Sequence, residues 1–294
     1  NHKIFNISNF ISLFFRRLLS NLMNETISQD APMACMDDFS SWILYEDENI
    51  LVLDKPGWLV CHPSKNGPWS SLVGAAKEYL QLDTVHLASR LDRETSGVVL
   101  LAKHKKAASY WQKGIEFKKV RRNYLAILEG ELPAGNTVST FLGKDPDSEI
   151  YVKQRVTGNS RKAKSAETIF TPICSKNGYT FCSVATLTGR KHQIRIHAQW
   201  IDHCLVGEKL YGRDERIYLE FCKSGWQQEW ANILGMSRQA LHGRHLRDME
   251  TGVCFSAPLP EDFLLFLESE MKLSIQEIEE CVSVSDELNF KDNG

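Results

Sequence analysis

From Thr137 to Thr188 the chain is a succession of short β-prone runs, cut by turn signals at Asp145-Pro146-Asp147, Gly158-Asn159 and Asn177-Gly178. A doubly wound parallel sheet needs a helix after nearly every strand, so strands delivered in runs with helices interspersed favour an α+β sheet protein. Earlier in the chain, Trp42-Ile43-Leu44-Tyr45 and Ile50-Leu51-Val52-Leu53 flank Glu46-Asp47-Glu48-Asn49 and predict a hairpin over residues 42–55. Apolar runs at 97–102 and 124–128 predict buried strands, and a further strand is expected near 240–242. Ser70 is a candidate N-cap for a helix to Leu80. Further helices are expected over 105–117, near 191–201, near 226–234 and over 261–271.

At 294 residues and 43% hydrophobic, the chain can bury a substantial core. No stretch reaches the roughly 20 apolar residues of a membrane span, since even Phe5 to Leu22 is broken by Asn9, Arg16 and Arg17. A protein without a membrane partner is the expectation. The eight cysteines form no C-x-x-C pair and no zinc-spaced cluster, which fits reduced thiols in the cytoplasm. Residues 1–40 read as an N-terminal extension. Its first 22 residues admit three readings: an amphipathic helix, a targeting segment, or sequence upstream of a start at Met23.

The net charge of −2 conceals an uneven distribution. Residues 261–294 hold ten acids against two bases, and without them about +6 remains. Residues 103–122 contain eight Lys/Arg and one acid, and 153–164 contain five and none. Either cluster alone is most simply a solvated face. Two of them following one candidate catalytic segment favour a surface that tracks phosphates. The acidic stretch from 273 to 294 is expected to fray, leaving one catalytic domain over 41–272.

That catalytic segment is Arg90-Leu91-Asp92-Arg93-Glu94-Thr95-Ser96-Gly97. Adjacent cations favour the ionised carboxyl, which suits Asp92 to nucleophilic attack or charge stabilisation and not to proton donation. As an isolated tripeptide, Arg-Asp-Arg is more commonly a surface turn. In Thr188-Gly189-Arg190-Lys191-His192-Gln193-Ile194-Arg195-Ile196-His197, with Thr188 as a candidate cap, the apolar residues must point inward. Arg195 is then a candidate buried cation in need of a carboxylate, and Asp92 is the expected partner. His192 and His197 lie five apart, a poor spacing for a shared metal on a helix.

With these segments the chain resembles the RluA-type family of pseudouridine synthases. The residues that carry the likeness are Val52-Leu53-Asp54-Lys55-Pro56-Gly57-Trp58-Leu59-Val60 with His62-Pro63, then 89–103, Arg122-Asn123-Tyr124 and 188–197. It continues through 203–212, Arg238-Gln239-Ala240-Leu241-His242 and Ala257-Pro258-Leu259-Pro260, all in family order over about residues 42–267.

The resemblance implies a curved, mainly antiparallel mixed sheet with an RNA-binding cleft and no metal or organic cofactor. It implies Asp92 as the catalytic aspartate, Tyr124 as the ring that stacks on the target uracil, and Arg195 as the base pairing with the carboxylate. Arg90, Arg93, Arg122, Arg190, His192 and Gln193 are the candidate contacts to substrate RNA. Ser89 and Lys191 depart from the histidine and threonine usual at their places. The residues before the hairpin are too few for the S4 RNA-binding domain of larger members. Ribosomal large-subunit RNA is expected ahead of transfer RNA, and a monomer is the default. Two other classes compete: a non-catalytic RNA-binding or ribosome-assembly factor, and a glycoside hydrolase using Asp92 and Glu94. The second is weakened by the spacing of its two carboxylates, only two positions apart in one short segment.

Overall fold

The computed structural model describes residues 32–290, so the readings of residues 1–22 lie outside the described residues. The strands are β1 (Ile43–Glu46), β2 (Ile50–Lys55), β3 (His86–Leu87), β4 (Ser96–Ala102), β5 (Val120–Glu129), β6 (Asn136–Lys144), β7 (Gln154–Thr157), β8 (Lys164–Lys176), β9 (Tyr179–Thr186), β10 (Leu241–Asp248) and β11 (Cys254–Ser256). The helices are α1 (Met36–Ser41), α2 (Leu72–Leu80), α3 (Lys105–Glu116), α4 (Gln193–Trp200), α5 (Arg216–Ser224), α6 (Ala231–Leu234), α7 (Glu261–Ser269) and α8 (Ile275–Phe290). All the strands join one sheet in the order β1-β2-β4-β10-β5-β9-β8-β6-β7, with β3 on β4 and β11 on β10. Only β4 and β10 pair in parallel, which gives the mixed, mainly antiparallel α+β architecture that the sequence implied.

Side chains alternate across a strand, so a continuously apolar strand must be covered on both faces. On β2 and β4, Leu51, Leu53, Val99 and Leu101 pack beneath α2 with Leu72, Val73 and Ala76. Ile50, Val52, Val98 and Leu100 pack on the opposite side against Ala107, Ala108 and Trp111 of α3. The same alternation organises β5. Leu125 and Ile127 face Phe263, Phe266 and Leu267 of α7, whereas Tyr124, Ala126 and Leu128 face Ile194 and Ala198 of α4. Tyr124 and α4 therefore share one side of the sheet.

Two glycines are dictated by close approach. Gly97 has φ +110°, and a Cβ there would meet the Gly243 carbonyl oxygen at 2.2 Å, so the parallel β4–β10 contact depends on it. Gly207 has φ +76°, and a Cβ there would lie 1.9 Å from the Arg238 carbonyl oxygen.

Several local expectations are corrected. Ser71, not Ser70, caps α2, because a short turn over Pro68–Ser70 precedes it. Helix α5 was unforeseen, while the helix expected near 226–234 is reduced to a turn over Gln228–Trp230 and the short α6. The acidic stretch does not fray over 275–290. It forms α8, which buries Ile278 and Cys281 and sends Asp286 to Arg244 at 2.7 Å and to His245 at 2.7 Å.

Candidate active site

Asp92 sits in the loop between β3 and β4, and that loop is held from below by four side chains. Lys55 is fully buried and donates to the carbonyl oxygens of Pro56 (2.7 Å), Leu59 (2.8 Å) and Arg93 (3.0 Å), while burial lowers its pKa to about 8. Lys209 pairs with Glu94 at 2.8 Å, Arg238 donates to the Glu94 carbonyl oxygen at 3.0 Å, and Gln239 donates to Thr95 at 2.7 Å. The bonds to Arg93, Glu94 and Thr95 hold this loop, and the Asp92 carboxylate stays part-exposed.

Across from Asp92, α4 supplies Arg195. The N-cap is not Thr188. His192 takes that position in a left-handed conformation without a side-chain cap, and Thr188 instead donates to the Gln193 amide oxygen at 2.7 Å. Arg195 is buried and divides its guanidinium. Nε and Nη2 donate to Glu208 at 2.7 and 2.6 Å, and Nη1 donates to Asp92 at 3.2 Å. Asp92 was expected to be its partner, yet Glu208 holds the stronger, forked pair. Glu208 also accepts from the backbone N–H groups of Leu210 (2.9 Å) and Tyr211 (3.2 Å).

The electrostatics follow from this arrangement. Burial alone would raise the Asp92 carboxyl, but the charge of His192 when it is protonated, the charge and hydrogen bond of Arg195, and Arg90 hold it below the usual carboxylate range. Burial and the neighbouring Arg195 push His192 down to about 4, so its charge is absent at neutral pH. Arg195 is thus the cation that keeps Asp92 ionised there. Burial raises the Tyr211 phenol, which stays protonated.

These groups open into a cleft of about 630 Å³. Arg90, Asp92, Arg122, Tyr124, Arg190, His192, Gln193 and Arg195 all line it. Arg122 and Tyr124 have the same parity on β5, which brings both to this face. Tyr124 is buried in a cluster with Ile194, Leu241 and Leu91, and among the described residues its hydroxyl has no hydrogen-bond partner. A part-exposed carboxylate, a buried guanidinium and an aromatic ring converge in a cleft rimmed by cations.

Residues 49–200 match the family described as RNA pseudouridylate synthase. The chain belongs to that family. It is 34% identical over 237 residues to a Bacillus subtilis protein named as an uncharacterized RNA pseudouridine synthase, covering 78% of this chain and 76% of that one. It is 30% identical to a ribosomal large subunit pseudouridine synthase D of Xylella fastidiosa, covering 85% of this chain and 73% of the relative. Among solved structures it is similar to human RNA pseudouridylate synthase domain containing 4, with TM-score 0.65 and 25% identity over 81% of this chain and 96% of that one. The RluA-type resemblance is thereby upheld, and the chain is an RNA pseudouridine synthase, an isomerase acting on RNA.

Two predicted contacts of this pseudouridine synthase fall differently from the rest. Arg93 is exposed but turned from the cleft, its Nε donating to the Trp58 carbonyl oxygen at 3.2 Å. Gln193 lines the cleft, yet its amide is spent internally: it donates to Glu167 and Thr168 and accepts from Thr188 and the Arg190 N–H. Both therefore support the fold of the site. Glu94, the second carboxylate of the hydrolase alternative, lies under the loop against Lys209. His197 bonds Thr168 at 2.8 Å and Thr140 at 2.9 Å, away from His192. Among the described residues no group of three or more His, Cys, Asp or Glu is set as metal ligands would be.

Glu208, Tyr211 and Lys55 went unassigned from sequence. Glu208-Lys209-Leu210-Tyr211 was visible as a motif, and a buried guanidinium is commonly matched by a carboxylate, but nothing in the spacing linked the two.

Proposed function

We propose that Asp92 is the catalytic carboxylate of the uridine isomerisation, acting on structured RNA with large-subunit ribosomal RNA ahead of transfer RNA. The observation that carries this reading is the shared guanidinium: Arg195 is anchored by Glu208 and offers only Nη1 to Asp92, which stays ionised and open to the cleft. The reaction breaks the C1′–N1 bond with uracil leaving as an anion, turns the base, and joins C1′ to C5. The C5 proton is lost and N1 gains one. Such a sequence asks for a carboxylate near C1′ or C2′ that can stabilise or trap an electron-poor sugar, as in other glycosyl chemistry. Tyr124 offers a flat face for a ring that must stay bound while it turns, and a free hydroxyl for the C5 proton.

The target base cannot react while stacked and must leave the helix, at least cost from a loop or bulge. Arg90, exposed at the cleft beside Asp92, fills the vacated place in the stack. Arg122 and Arg190 hold phosphates. The preference for large-subunit RNA rests on relatives named ribosomal large subunit pseudouridine synthase D in Xylella fastidiosa and Salmonella typhimurium, each 30% identical. One catalytic domain over 41–272, acting as a monomer in the cytoplasm without a cofactor, completes the reading. Eight free cysteines and helices none of which, among the described residues, is long and apolar enough to cross a membrane support that compartment.

The test is tritium release from C5-labelled uridine in transcripts of large-subunit ribosomal RNA and of transfer RNAs. Faster release from the ribosomal transcripts supports the substrate assignment, and release from transfer RNA alone reverses it.

A further inference from the structure

His192 ends a chain of hydrogen bonds that fixes which of its ring nitrogens carries the proton. The Gln154 backbone N–H donates to the Tyr211 hydroxyl oxygen at 3.1 Å, and that oxygen lies 2.7 Å from His192 Nδ1. Tyr211 is fully buried, and among the described residues its hydroxyl has no other hydrogen-bond partner. A phenol that already accepts from an N–H can satisfy its own proton only by donating to Nδ1. The neutral imidazole must then carry its hydrogen on Nε2.

Nε2 lies 3.8 Å from Asp92 Oδ2, beyond hydrogen-bond range, and among the described residues no acceptor meets it. The ring is held edge to face against Tyr211 at 5.5 Å, and Arg195 covers the same phenol at 5.1 Å, so Nε2 cannot easily swing elsewhere. The site thus keeps a fixed, unspent N–H donor beside its part-exposed carboxylate, on the wall of the cleft.

We propose that His192 Nε2–H donates to the 2′-hydroxyl of the target nucleotide, making His192 a determinant of ribose over deoxyribose and Tyr211 its positioning residue. This rests on the reading of Asp92 as the carboxylate at C1′ or C2′, since the 2′-oxygen is bonded to C2′ and falls beside whatever group addresses that carbon. The 2′-hydroxyl is also the group that distinguishes RNA from DNA at a given site. An acceptor-only residue at 192 could not make the contact, and a charged imidazolium would compete with Arg195 for Asp92.

The experiment measures binding in the Asp92→Asn background, where turnover does not consume the ligand. The probe is an RNA stem-loop that the wild-type protein converts, synthesised with either ribose or 2′-deoxyribose at the single target nucleotide. Asp92→Asn protein is expected to bind the ribose form about fivefold more tightly, the worth of one hydrogen bond. Adding His192→Phe should bring that ratio close to one while leaving affinity for the deoxyribose form nearly unchanged, which also reports that the double variant is folded. Adding Tyr211→Phe, which frees the proton to move to Nδ1, should lower the ratio as well. An equal ratio in all three proteins, or no preference in the first, overturns the proposal. Conversion of the ribose probe by the Asp92→Asn protein would instead overturn the reading of Asp92.

Discussion

The two sides of Arg195 hold carboxylates that do different things. Glu208 is almost wholly buried and accepts four hydrogen bonds, two from the guanidinium and two from backbone N–H groups. Asp92 is part-exposed and takes one bond from the same cation. The inner side fixes the guanidinium, and the outer side is left open to the cleft, as the proposed reaction requires. A carboxylate saturated with donors is a poor nucleophile, and one held by a single donor keeps lone pairs free for a sugar carbon. The lesson is that a site can use one guanidinium twice, first to be anchored and then to anchor.

The sharpest way to break this comparison is to remove each carboxylate in turn. Glu208→Gln leaves the buried Arg195 with only its single bond to Asp92 as a charge contact and should destabilise the protein by about 3–5 kcal/mol. Asp92→Asn should alter stability by less than about 1 kcal/mol, because the group is part-exposed and singly bonded. Urea denaturation of both variants measures the difference, and equal losses would mean the two sides are not distinct.

Acidification sharpens it next. Burial drives His192 and His197 to about 4 and His242 to about 3, below the value of about 6.5 in the unfolded chain. The unfolded state therefore takes up these protons first, and stability present above pH 6.5 is lost as pH falls towards 4, at about 1.4 kcal/mol per pH unit for each fully shifted group. His245, raised by its bond to Asp286, works in the opposite direction. Asp92 stays ionised through that window. Loss of activity on acidification should then coincide with unfolding followed by circular dichroism. Inactivation of a still folded protein at pH 5 to 6 would contradict the assignment.

The smallest effect concerns the cleft's outer rim. The Lys191 ammonium lines the cleft with no hydrogen-bond or ion-pair partner among the described residues, and burial with Arg90 nearby lowers its pKa. Lys191→Thr should reduce the slope of log K against log salt for RNA binding by about 1. An unchanged slope would mean that this lysine meets no phosphate.

Much of the frame was legible because it follows from alternation and apolar runs. The 42–55 hairpin, the buried β4 and the lysine-faced α3 could be read directly, and so could Asp92, whose flanking arginines mark an ionised carboxylate. Arg195 was legible for a related reason, since Ile194, Ile196 and Ala198 had to turn inward and take it with them.

What could not be read depends on contacts distant in sequence. Glu208 reaches Arg195 from a loop after α4, and Lys55 holds the Asp92 loop through carbonyl oxygens, which carry no sequence identity. Gln193 looked like an RNA contact because a polar side chain in a basic segment does not announce that backbone and hydroxyl partners will consume it. Helix α8 was missed because Ile278, Cys281 and Ser285 turn inward among many acids, and Asp286 is matched by Arg244 from the distant strand β10.

The chemistry assigned to the outer carboxylate is tested most directly by tritium release from C5-labelled RNA by Asp92→Asn protein shown to be folded by its unchanged urea midpoint. The expected result is a rate reduced at least about a thousandfold, the scale seen when a nucleophile or its equivalent is removed from an enzyme. Release at the wild-type rate by that folded protein would contradict the account.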